Sequence, residues 1–380
     1  MSRKKSKVRA DFRKNREVRA RGKQGIHHLL DENSPAANAP QDERISGKGD
    51  ISRKRTVAGG EMIEDESGTW VLPDVDREVC RLGRVLRSQG LHSLVRDDEG
   101  TVFQCATRRL LKTLSTDQRH VVIAGDVVWF RPEGSDQGII ERVEPRRGIL
   151  SRTSRGRQHV LVANVDQVLI VTSAAEPRLK PNLVDRFLVS AEKTNIRPLI
   201  CINKIDLINT ADLLPLVGVY AQLGYEVHLV SAETGFGIER LRARVAEMAS
   251  VVTGQSGVGK SSLLNAIEPG LALRVQSVSE ETQKGRHTTT TAELLPLSIG
   301  GFVVDTPGIR QFQLWDVIPE EVAGYFRDLR PYVSKCRFPD CTHTHEDDCA
   351  VKDAVADGWV DARRYESYVQ IQSGDEATAR

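Results

Sequence analysis

The first 78 residues show no regular alternation of apolar and polar positions. The segment is polar, contains basic runs such as Arg3–Arg9, and is interrupted by Gly, Ser, Pro and Asn. Such a chain buries too little apolar surface to offset the entropy of ordering it, so the pattern predicts a largely disordered extension over 1–78. Two interpretations of 8–23 remain open, a short basic helix formed on RNA and a solvated tail.

Short apolar segments separated by turns follow, from about Arg81 to Pro145. They read GRVLRS, HSLVRD, TVFQCAT, VVIAGDVVWF and GIIERVEP, with bends at Gly125 and Asp126 and again from Gly134 to Gly138. Five short strands in so short a stretch are typical of a small closed barrel. The pattern therefore predicts an OB-like β-barrel over 79–150, a shape that by itself assigns no function.

Strand and helix patterns alternate from about Ala163 onward. The stretches DQVLIVTSA, RPLICINK and EVHLVSA are almost continuously apolar, whereas LVDRFLVSAEK, ADLLPLVGVYAQLG and GIERLRARVAEMA have helical patterns. Continuous apolar strands between helices indicate a parallel sheet covered on both faces. The predicted fold class is α/β, with this sheet domain over 151–318 and a helical domain over 319–380.

Charge is distributed unevenly along the 380 residues, although the net charge is only +2. Residues 1–25 carry eleven Lys or Arg and two Asp or Glu, which leaves a net of −7 on the rest of the chain. A basic arm on an acidic body favours RNA or another polyanion as partner. No apolar run approaches the roughly 20 residues of a membrane helix or follows the basic start as in a signal peptide, so we expect a cytoplasmic protein.

The segment GQSGVGKSS, Gly254–Ser262, fits the phosphate-binding pattern G-x-x-x-x-G-K-[ST]. Its glycines let successive N–H groups point at phosphate oxygens, Lys260 reaches the β and γ phosphates, and Ser261 offers its hydroxyl to Mg²⁺. Val251 and Val252 predict the preceding strand, and the residues after the loop predict a helix whose positive end faces the nucleotide.

The segment NKID follows the predicted strand PLICI, at the edge where open α/β sheets bind ligands. Asp206 can accept hydrogen bonds from guanine N1–H and the N2 amino group, which adenine lacks. Asn203 would hold the base edge and brace the neighbouring loop, and the Lys204 stem would pack over the base. In VSAETG, which ends the next strand, the Ala232 N–H is placed to meet guanine O6.

Two further segments fit the magnesium side of such a site. In DTPG, Asp305 is placed to hold Mg²⁺ through water, and the Gly308 N–H to contact the γ phosphate. Between this motif and the phosphate loop lies GRHTTTTAE, where we expect Thr289 to ligate Mg²⁺, with Thr288 and Thr290 as alternatives. The predicted nucleotide site comprises Asn203, Lys204, Ile205, Asp206, Ser231, Ala232, Gly254, Gln255, Ser256, Gly257, Val258, Gly259, Lys260, Ser261, Ser262, Asp305 and Gly308.

The order of these motifs differs from that of ordinary GTPases, in which the phosphate loop comes first. A circular permutation explains the difference, because it moves the termini and leaves the sheet and its loops in place. The sequence resembles the circularly permuted GTPases, and more closely the bacterial small-ribosomal-subunit-dependent GTPase family. The stretches NVDQVLIV, NKID, GQSGVGKSSLLN, GRHTTT, DTPG and a C-terminal cysteine cluster carry the resemblance, which covers Gly83 to Tyr368 and leaves out the N-terminal extension.

The catalytic group is less obvious than the binding site. Ile309 follows DTPG, where many GTPases have a Gln that orients the attacking water, and isoleucine cannot hydrogen-bond water. The resemblance implies that His287 does this work, beside Lys260 and Thr289. A second interpretation, in which His287 only packs or contacts RNA, remains open.

The cysteine cluster CRFPDCTHTHEDDC predicts a metal site. Cys336, Cys341 and Cys349 with one histidine form a closed tetrahedral shell suited to a structural Zn²⁺. Both His343 and His345 are candidates for the fourth ligand, and the resemblance favours His343.

Expectations also follow for the C-terminal helical residues and for the three remaining cysteines. The helical C-terminal tail is expected to present to RNA or protein the side chains of Arg363, Arg364, Tyr365 and Tyr368. Incidental or buried thiols are expected at Cys80, Cys105 and Cys201.

The resemblance implies a monomeric GTPase that binds GTP and GDP with Mg²⁺, carries one zinc ion, and contacts the small (30S) ribosomal subunit and its rRNA, with no membrane partner. It would assist late maturation of that subunit, with turnover and release stimulated by it. Alternatives are a permuted GTPase acting on the large subunit or another RNA, and an RNA-binding scaffold that uses GTP as a structural ligand with little turnover.

Overall fold

The fold is given by a computed structural model, which describes residues 7–11, 54–58, 60–65, 68–90, 92–108, 111, 121–154, 157–273, 292–305 and 317–374. In chain order these residues form an N-terminal group of strands, a barrel, a mostly parallel sheet with helices, and a small helical domain. Within these ranges no helix is both long enough and apolar enough to cross a bilayer.

Four strands lie among the described residues of the N-terminal extension, while most of 1–78 lies outside them, so the expectation of a largely disordered extension stays a prediction. They are β1 (Lys7–Asp11), β2 (Lys54–Ala58), β3 (Gly60–Asp65) and β4 (Gly68–Pro73). Strands β1 and β2 pair antiparallel, as do β3 and β4. The segments MIE and TWV contain the β-branched and aromatic residue types that favour strands, and a Gly begins β4. Strand β1 begins at Lys7 and overlaps the first four residues of the stretch 8–23 for which a basic helix was considered.

The barrel is a closed sheet of five strands, as the sequence predicts. The strands are β5 (Arg81–Gln89), β6 (His92–Asp97), β7 (Val102–Thr107), β8 (Val127–Glu133) and β9 (Gln137–Val143). They run in the order β5-β6-β7-β9-β8, and the pairing of β5 with β8 closes the barrel. The inward side chains form one apolar core, which includes Val85, Val95, Phe103, Cys105, Val128, Phe130 and Ile140.

An ion pair buried in the barrel explains the bend at Gly125 and Asp126. Arg146 donates from Nε to Asp126 Oδ1 at 2.7 Å and from Nη2 to Oδ2 at 2.8 Å, and both side chains are fully buried. The Ile123 N–H also donates to Asp126. Because this carboxylate organises 121–126 as a turn, the first half of the predicted strand VVIAGDVVWF is loop, and β8 begins only at Val127.

A hairpin of β10 (Leu150–Ser154) and β11 (Arg157–Val162) leads to the second sheet region. Its strands are β12 (Gln167–Ser173), β13 (Arg197–Asn203), β14 (Glu226–Leu229), β15 (Ala249–Thr253), β16 (Glu293–Pro296) and β17 (Phe302–Asp305). Their order is β14-β13-β12-β15-β17-β16, with β16 antiparallel and the others parallel. The larger helices are α1 (Pro181–Lys193), α2 (Leu214–Gln222), α3 (Ile238–Val245) and α4 (Lys260–Ile267).

Helices cover both faces of this sheet, because alternate residues of the central strands point in opposite directions. Val168 and Ile170 of β12 belong to the core beneath α1 and α2. Leu169 and Val171 belong to the core beneath α3 and α4. The prediction of a parallel α/β sheet is therefore confirmed.

The C-terminal domain consists of α5 (Val322–Tyr325), α6 (Arg330–Val333), α7 (Ala350–Ala356) and α8 (Ala362–Gln372). Its apolar core includes Val189 of α1, so the domain is packed onto the sheet domain. Arg364 donates to Asp185 of α1 and to both carboxylate oxygens of Asp328. The side chain of Arg364 is only 3% exposed, so the expectation that it is available to RNA is wrong.

Tyr368 is buried as well, against the expectation that it is available to a partner. Its ring packs edge-on against Phe326, and its hydroxyl donates to the Thr342 carbonyl at 2.6 Å. The helix α8 turns an apolar face toward α1 and α5, which takes Arg364 and Tyr368 into the interior. Cys80, Cys105 and Cys201, expected to be incidental or buried thiols, are all buried.

Candidate functional site

The phosphate-loop segment connects β15 to α4, as predicted. Gly254 and Gly259, at its two ends, have φ values of 141° and 87°. A Cβ atom at Gly254 would lie 2.0 Å from the Val171 carbonyl oxygen, so only glycine fits there. Lys260 Nζ lies over the same loop and donates to the carbonyls of Gly254 and Gln255 at 2.9 and 2.7 Å.

The segment NKID meets this loop directly. Asn203 is 1% exposed, and its Nδ2 donates to the Val258 carbonyl at 3.0 Å. A Cβ atom at Gly259 would lie 2.5 Å from the same nitrogen, so the loop and the amide are in close contact. Two motifs separated by more than fifty residues therefore form one surface.

The same asparagine also holds the third motif. Its Oδ1 accepts a hydrogen bond from the Ala232 N–H at 3.1 Å. The sequence assigns this N–H to guanine O6, whereas in the structure it has a protein acceptor. The Asn203 side chain thus joins the phosphate loop to the VSAETG segment.

Lys204 has the left-handed conformation, with φ of 62°, directly after β13. This turn directs its side chain back across the site, where Nζ donates to the Gly257 carbonyl at 2.9 Å and to the Glu176 carbonyl. Glu176 lies in the loop after β12 and was not foreseen from the sequence, since the contact is made by backbone alone. Lys204 therefore links the loop after β12 to the phosphate loop.

Asp206 is exposed at the mouth of the site, and a buried serine orients it. Ser231 Oγ donates to Asp206 Oδ1 at 2.5 Å and accepts from the Thr234 N–H at 3.1 Å. Ser231 has no exposed surface, so it cannot rotate freely away from the carboxylate. One carboxylate oxygen is thereby fixed, and the Asp206 side chain is held in one orientation at the carboxyl edge of the sheet.

Sheet topology explains why these loops converge. From central β12 the chain passes to β13 and β14 on one side and then to β15 and β17 on the other. Ligands bind at the carboxyl ends of parallel strands where the strand order reverses, and here this point lies between β12 and β15. The loops after β13, β14 and β15 carry NKID, VSAETG and the phosphate loop.

The magnesium side of the site is only partly described. Asp305 ends β17, where its backbone lies opposite Glu293 of β16. The other predicted residues of this side, His287, Thr288, Thr289, Thr290, Gly308 and Ile309, lie outside the described residues. Ser261 and Ser262 lie in the first turn of α4, with the remaining predicted loop residues just before them.

Asn265 has a role that the sequence analysis missed. Its Nδ2 donates to the Leu273 carbonyl, and its Oδ1 accepts from the Leu273 N–H, both at 2.9 Å. Leu273 is the last described residue before the threonine-rich segment. A polar asparagine amid the apolar positions of α4 was a usable signal, because asparagine is unfavourable within helices.

The four predicted metal ligands come together in the C-terminal domain. The ligand atoms of Cys336, Cys341, His343 and Cys349 all lie within 4.8 Å of one another. The other candidate, His345, points outward, with 81% of its side chain exposed. The structure therefore places His343, with φ of 57°, beside the three cysteines.

Distances within this cluster fit a tetrahedral ion. Cys336 Sγ lies 3.8 Å from Cys349 Sγ, and tetrahedral Zn–S bonds of about 2.3 Å place sulfur atoms about 3.8 Å apart. His343 Nδ1 lies 3.3 and 3.5 Å from these two sulfur atoms. Burial raises the pKa of the Cys341 thiol to about 12, so the positive charge of a metal would be needed to hold it as a thiolate at neutral pH.

Hydrogen bonds hold the loop that carries His343. Glu346 accepts from the N–H and hydroxyl of Thr342, both at 2.6 Å, and from the Thr344 N–H. Tyr365 Oη donates to the His343 carbonyl at 2.8 Å. These four side chains are thus arranged by the protein itself, and three thiolates with one imidazole would leave no open position for water on a bound Zn²⁺.

Comparisons with known proteins agree with this geometry. A family model described as RsgA GTPase matches residues 143–315. The Small ribosomal subunit biogenesis GTPase RsgA of Sodalis glossinidius (strain morsitans) is 40% identical over 295 residues, covering 76% of this chain and 84% of that relative. The chain belongs to the RsgA GTPase family.

Solved structures from the family have the same fold. The crystal structure of YjeQ from Thermotoga maritima is similar with a TM-score of 0.65 and 38% identity, covering 78% of this chain and 98% of that one. YloQ, described as a circularly permuted GTPase, gives a TM-score of 0.62 and 30% identity, covering 79% and 97%. The predicted permutation is confirmed, and the chain is a GTPase.

Proposed function

We propose that this GTPase binds the small (30S) ribosomal subunit in the cytoplasm, assists its late maturation, and leaves it after GTP hydrolysis. The observation that carries the nucleotide-binding part of the proposal is the contact between the Asn203 amide and the Val258 carbonyl. It joins a guanine-reading motif to a phosphate loop despite their reversed order. The subunit itself is proposed by analogy with the relatives' names.

Asp206 selects the base in this proposal. The oxygen that Ser231 does not hold is free to accept from guanine N1–H or N2, and the bound oxygen keeps a second lone pair for the other donor. Adenine lacks the N2 donor and presents a lone pair at N1, so it leaves the carboxylate unpaired. The Lys204 stem packs over the base, and Ile205 and Ala232 complete the pocket.

The loop from Gly254 to Gly259 holds the phosphates. Its backbone N–H groups and the N-terminal end of α4 supply positive partial charge, and Lys260 moves from the loop carbonyls to the β and γ phosphates. Ser261, with Thr289 and Asp305, would hold Mg²⁺, which neutralises charge on the phosphate oxygens. These residues orient the γ phosphate for attack by water.

His287 is the residue proposed to orient that water. Ile309, which follows DTPG, has no polar atom to do so. A histidine with a neutral ring nitrogen can accept a proton or hydrogen bond from water. Replacing His287 with Ala is expected to lower turnover and leave nucleotide affinity near normal.

The zinc cluster would fix the C-terminal domain as a rigid support. Cys336, Cys341, His343 and Cys349 would hold one Zn²⁺, which crosslinks the loop without taking part in hydrolysis. This domain is anchored on α1 by Arg364, so a partner that touches it is held at a defined place relative to the nucleotide. The barrel and the basic extension offer further surface to rRNA, and the chain works as a monomer.

Phosphate release tests the proposal. The full chain is incubated with GTP alone, with purified small subunits and with large subunits, and Lys260→Ala serves as the inactive control. We expect small subunits to raise the rate of GTP hydrolysis at least about tenfold, which corresponds to an activation free energy lower by about 1.4 kcal/mol. No change with small subunits, or an equal rise with large subunits, would refute the ribosomal part and leave the GTPase assignment intact.

A further inference from the structure

The barrel strand β5 is also part of the nucleotide-binding sheet. It pairs with β6 and β8 inside the barrel and, at its other end, with β16. In the described part of the chain, β5 and β16 are registered at Arg87 opposite Glu293. The barrel therefore connects to the GTPase sheet through a hydrogen-bonded strand pair.

A β-bulge allows β5 to belong both to the barrel and to the GTPase sheet. Val85 pairs with Val95 and Arg87 with Leu94, so Leu86 is an extra residue in the strand. Val85 lies in the barrel core, whereas Leu86 lies in the sheet core together with Leu294. Because two neighbouring side chains enter two different cores, β5 cannot shift relative to one core without disturbing the other.

Strand β16 carries this connection to the magnesium side of the site. Glu293 lies opposite Arg87 on one edge and opposite Asp305 on the other. Glu293 also follows the threonine-rich segment in the chain. At the other end of that segment, Leu273 is held by Asn265 of α4, the helix of the phosphate loop. One end of the segment is thus tied to the nucleotide helix and the other to the barrel.

The contact between the two side chains is loose in this structure. Arg87 Nη1 lies 3.8 Å from Glu293 Oε2, and Nη2 donates to Gln89 instead. The Arg87 Nε is buried and finds no hydrogen-bond partner among the described residues. A buried donor without a partner is costly, and a bidentate pair with the Glu293 carboxylate would satisfy it.

We propose that Arg87 and Glu293 form a positioning pair through which the barrel sets the place of the Asp305 strand and so the Mg²⁺ affinity of the nucleotide site. The inference rests on the proposed function, because it takes Asp305 as a magnesium-side residue. Arg87 and Glu293 touch no substrate and act through Asp305.

The test measures the affinity of the full chain for a fluorescent GTP analogue as a function of Mg²⁺ concentration. The variants are Arg87→Gln, Glu293→Gln, both together, and the exchange Arg87→Glu with Glu293→Arg. The matched control is Arg81→Gln, because Arg81 lies on the same strand and its 3.0 Å ion pair with Asp97 stays inside the barrel. Melting curves identify any variant that fails to fold.

We expect each single variant to raise the half-saturating Mg²⁺ concentration about fivefold, as for a coupled charge pair worth about 1 kcal/mol. The double variant should have the same half-saturating Mg²⁺ concentration as each single variant. The exchange variant should recover most of the lost Mg²⁺ affinity. The half-saturating concentration of Arg81→Gln should stay within about twofold of the wild-type value. Folded Arg87 and Glu293 variants with unaltered Mg²⁺ dependence, or a control that shifts equally, would overturn the inference alone. If nucleotide binding by the wild type does not depend on Mg²⁺ concentration, the proposed magnesium site is wrong as well.

Discussion

Asn203 donates from its side-chain amide to the Val258 carbonyl at 3.0 Å, across 55 positions of the sequence. Its other amide atom accepts from Ala232, so one buried side chain holds three loops together. These three loops follow three different strands of the sheet, and the hydrogen bonds of Asn203 join them directly. In the proposed site, guanine recognition and phosphate binding would therefore be coupled through Asn203.

Removing the Asn203 side chain should weaken nucleotide binding. Asn203→Ala deletes two hydrogen bonds and leaves the Val258 carbonyl and the Ala232 N–H unpaired, at a cost of about 1 to 3 kcal/mol. We expect GTP affinity to fall by at least about tenfold in a fluorescence titration. Asn182→Ala is the control, because Asn182 is bonded to Gln370 on the surface and should bind GTP normally. Equal affinities for the two variants would contradict the coupling.

Base selection should change when the acceptor at Asp206 becomes a donor. Xanthine has a carbonyl oxygen where guanine has the N2 amino group, so Asp206→Asn offers its amide N–H to xanthine and loses an acceptor for guanine. We expect competition titrations to show weaker GTP binding and stronger binding of xanthosine triphosphate, each by at least about tenfold. Asp212→Asn, on the same exposed loop, should leave the preference unaltered. Unchanged preference in Asp206→Asn would remove this residue from base recognition.

Substitution of the two neighbouring histidines, His343 and His345, should have different effects on zinc content and thermal stability. His343 lies with the three cysteines, whereas the side chain of His345 is 81% exposed. Full-length His343→Ala should lose its stoichiometric zinc, measured by elemental analysis, and melt at a lower temperature because the metal contributes to folding. His345→Ala should keep both properties. Loss of zinc in His345→Ala with retention in His343→Ala would reverse the ligand assignment.

The anchor between the C-terminal domain and α1 should be important for stability. The Arg364 side chain is 3% exposed and bonded to Asp185 and Asp328, so Arg364→Ala leaves two buried carboxylates without their cation. We expect a loss of about 3 to 5 kcal/mol in the free energy of unfolding, measured by urea denaturation. Arg363→Ala, which removes an exposed pair with Asp361, should cost about 0 to 1 kcal/mol. Equal losses would mean that the buried pairs do not anchor the domain.

The proposed nucleotide loops are recognisable in the sequence, because phosphate and guanine chemistry restrict residue type and spacing at once. Gly254 must be glycine where a Cβ would meet the Val171 carbonyl, and the motif contains this requirement. The barrel strands were visible from alternation and turns. The C-terminal metal-site candidate was visible from the spacing of its cysteines, while the structure, with His343 inside and His345 outside, separates the two histidines.

Contacts between distant segments could not be predicted in the same way. The pairing of Arg87 with Glu293 depends on a bulge and a register that no local pattern specifies. Arg364 was expected at the surface, because arginine is rarely buried, yet two aspartates from other elements neutralise it inside. The strands within 1–78 were missed because their short alternating runs lie between long polar stretches.

Isothermal titration calorimetry with GTP and ATP tests the central claim most directly, namely that permuted loops form one guanine-specific site. We predict one GTP per chain, ATP binding weaker by at least about a hundredfold, and loss of the GTP signal in Lys260→Ala. Equal affinity for ATP and GTP, or undiminished GTP binding by Lys260→Ala, would contradict it.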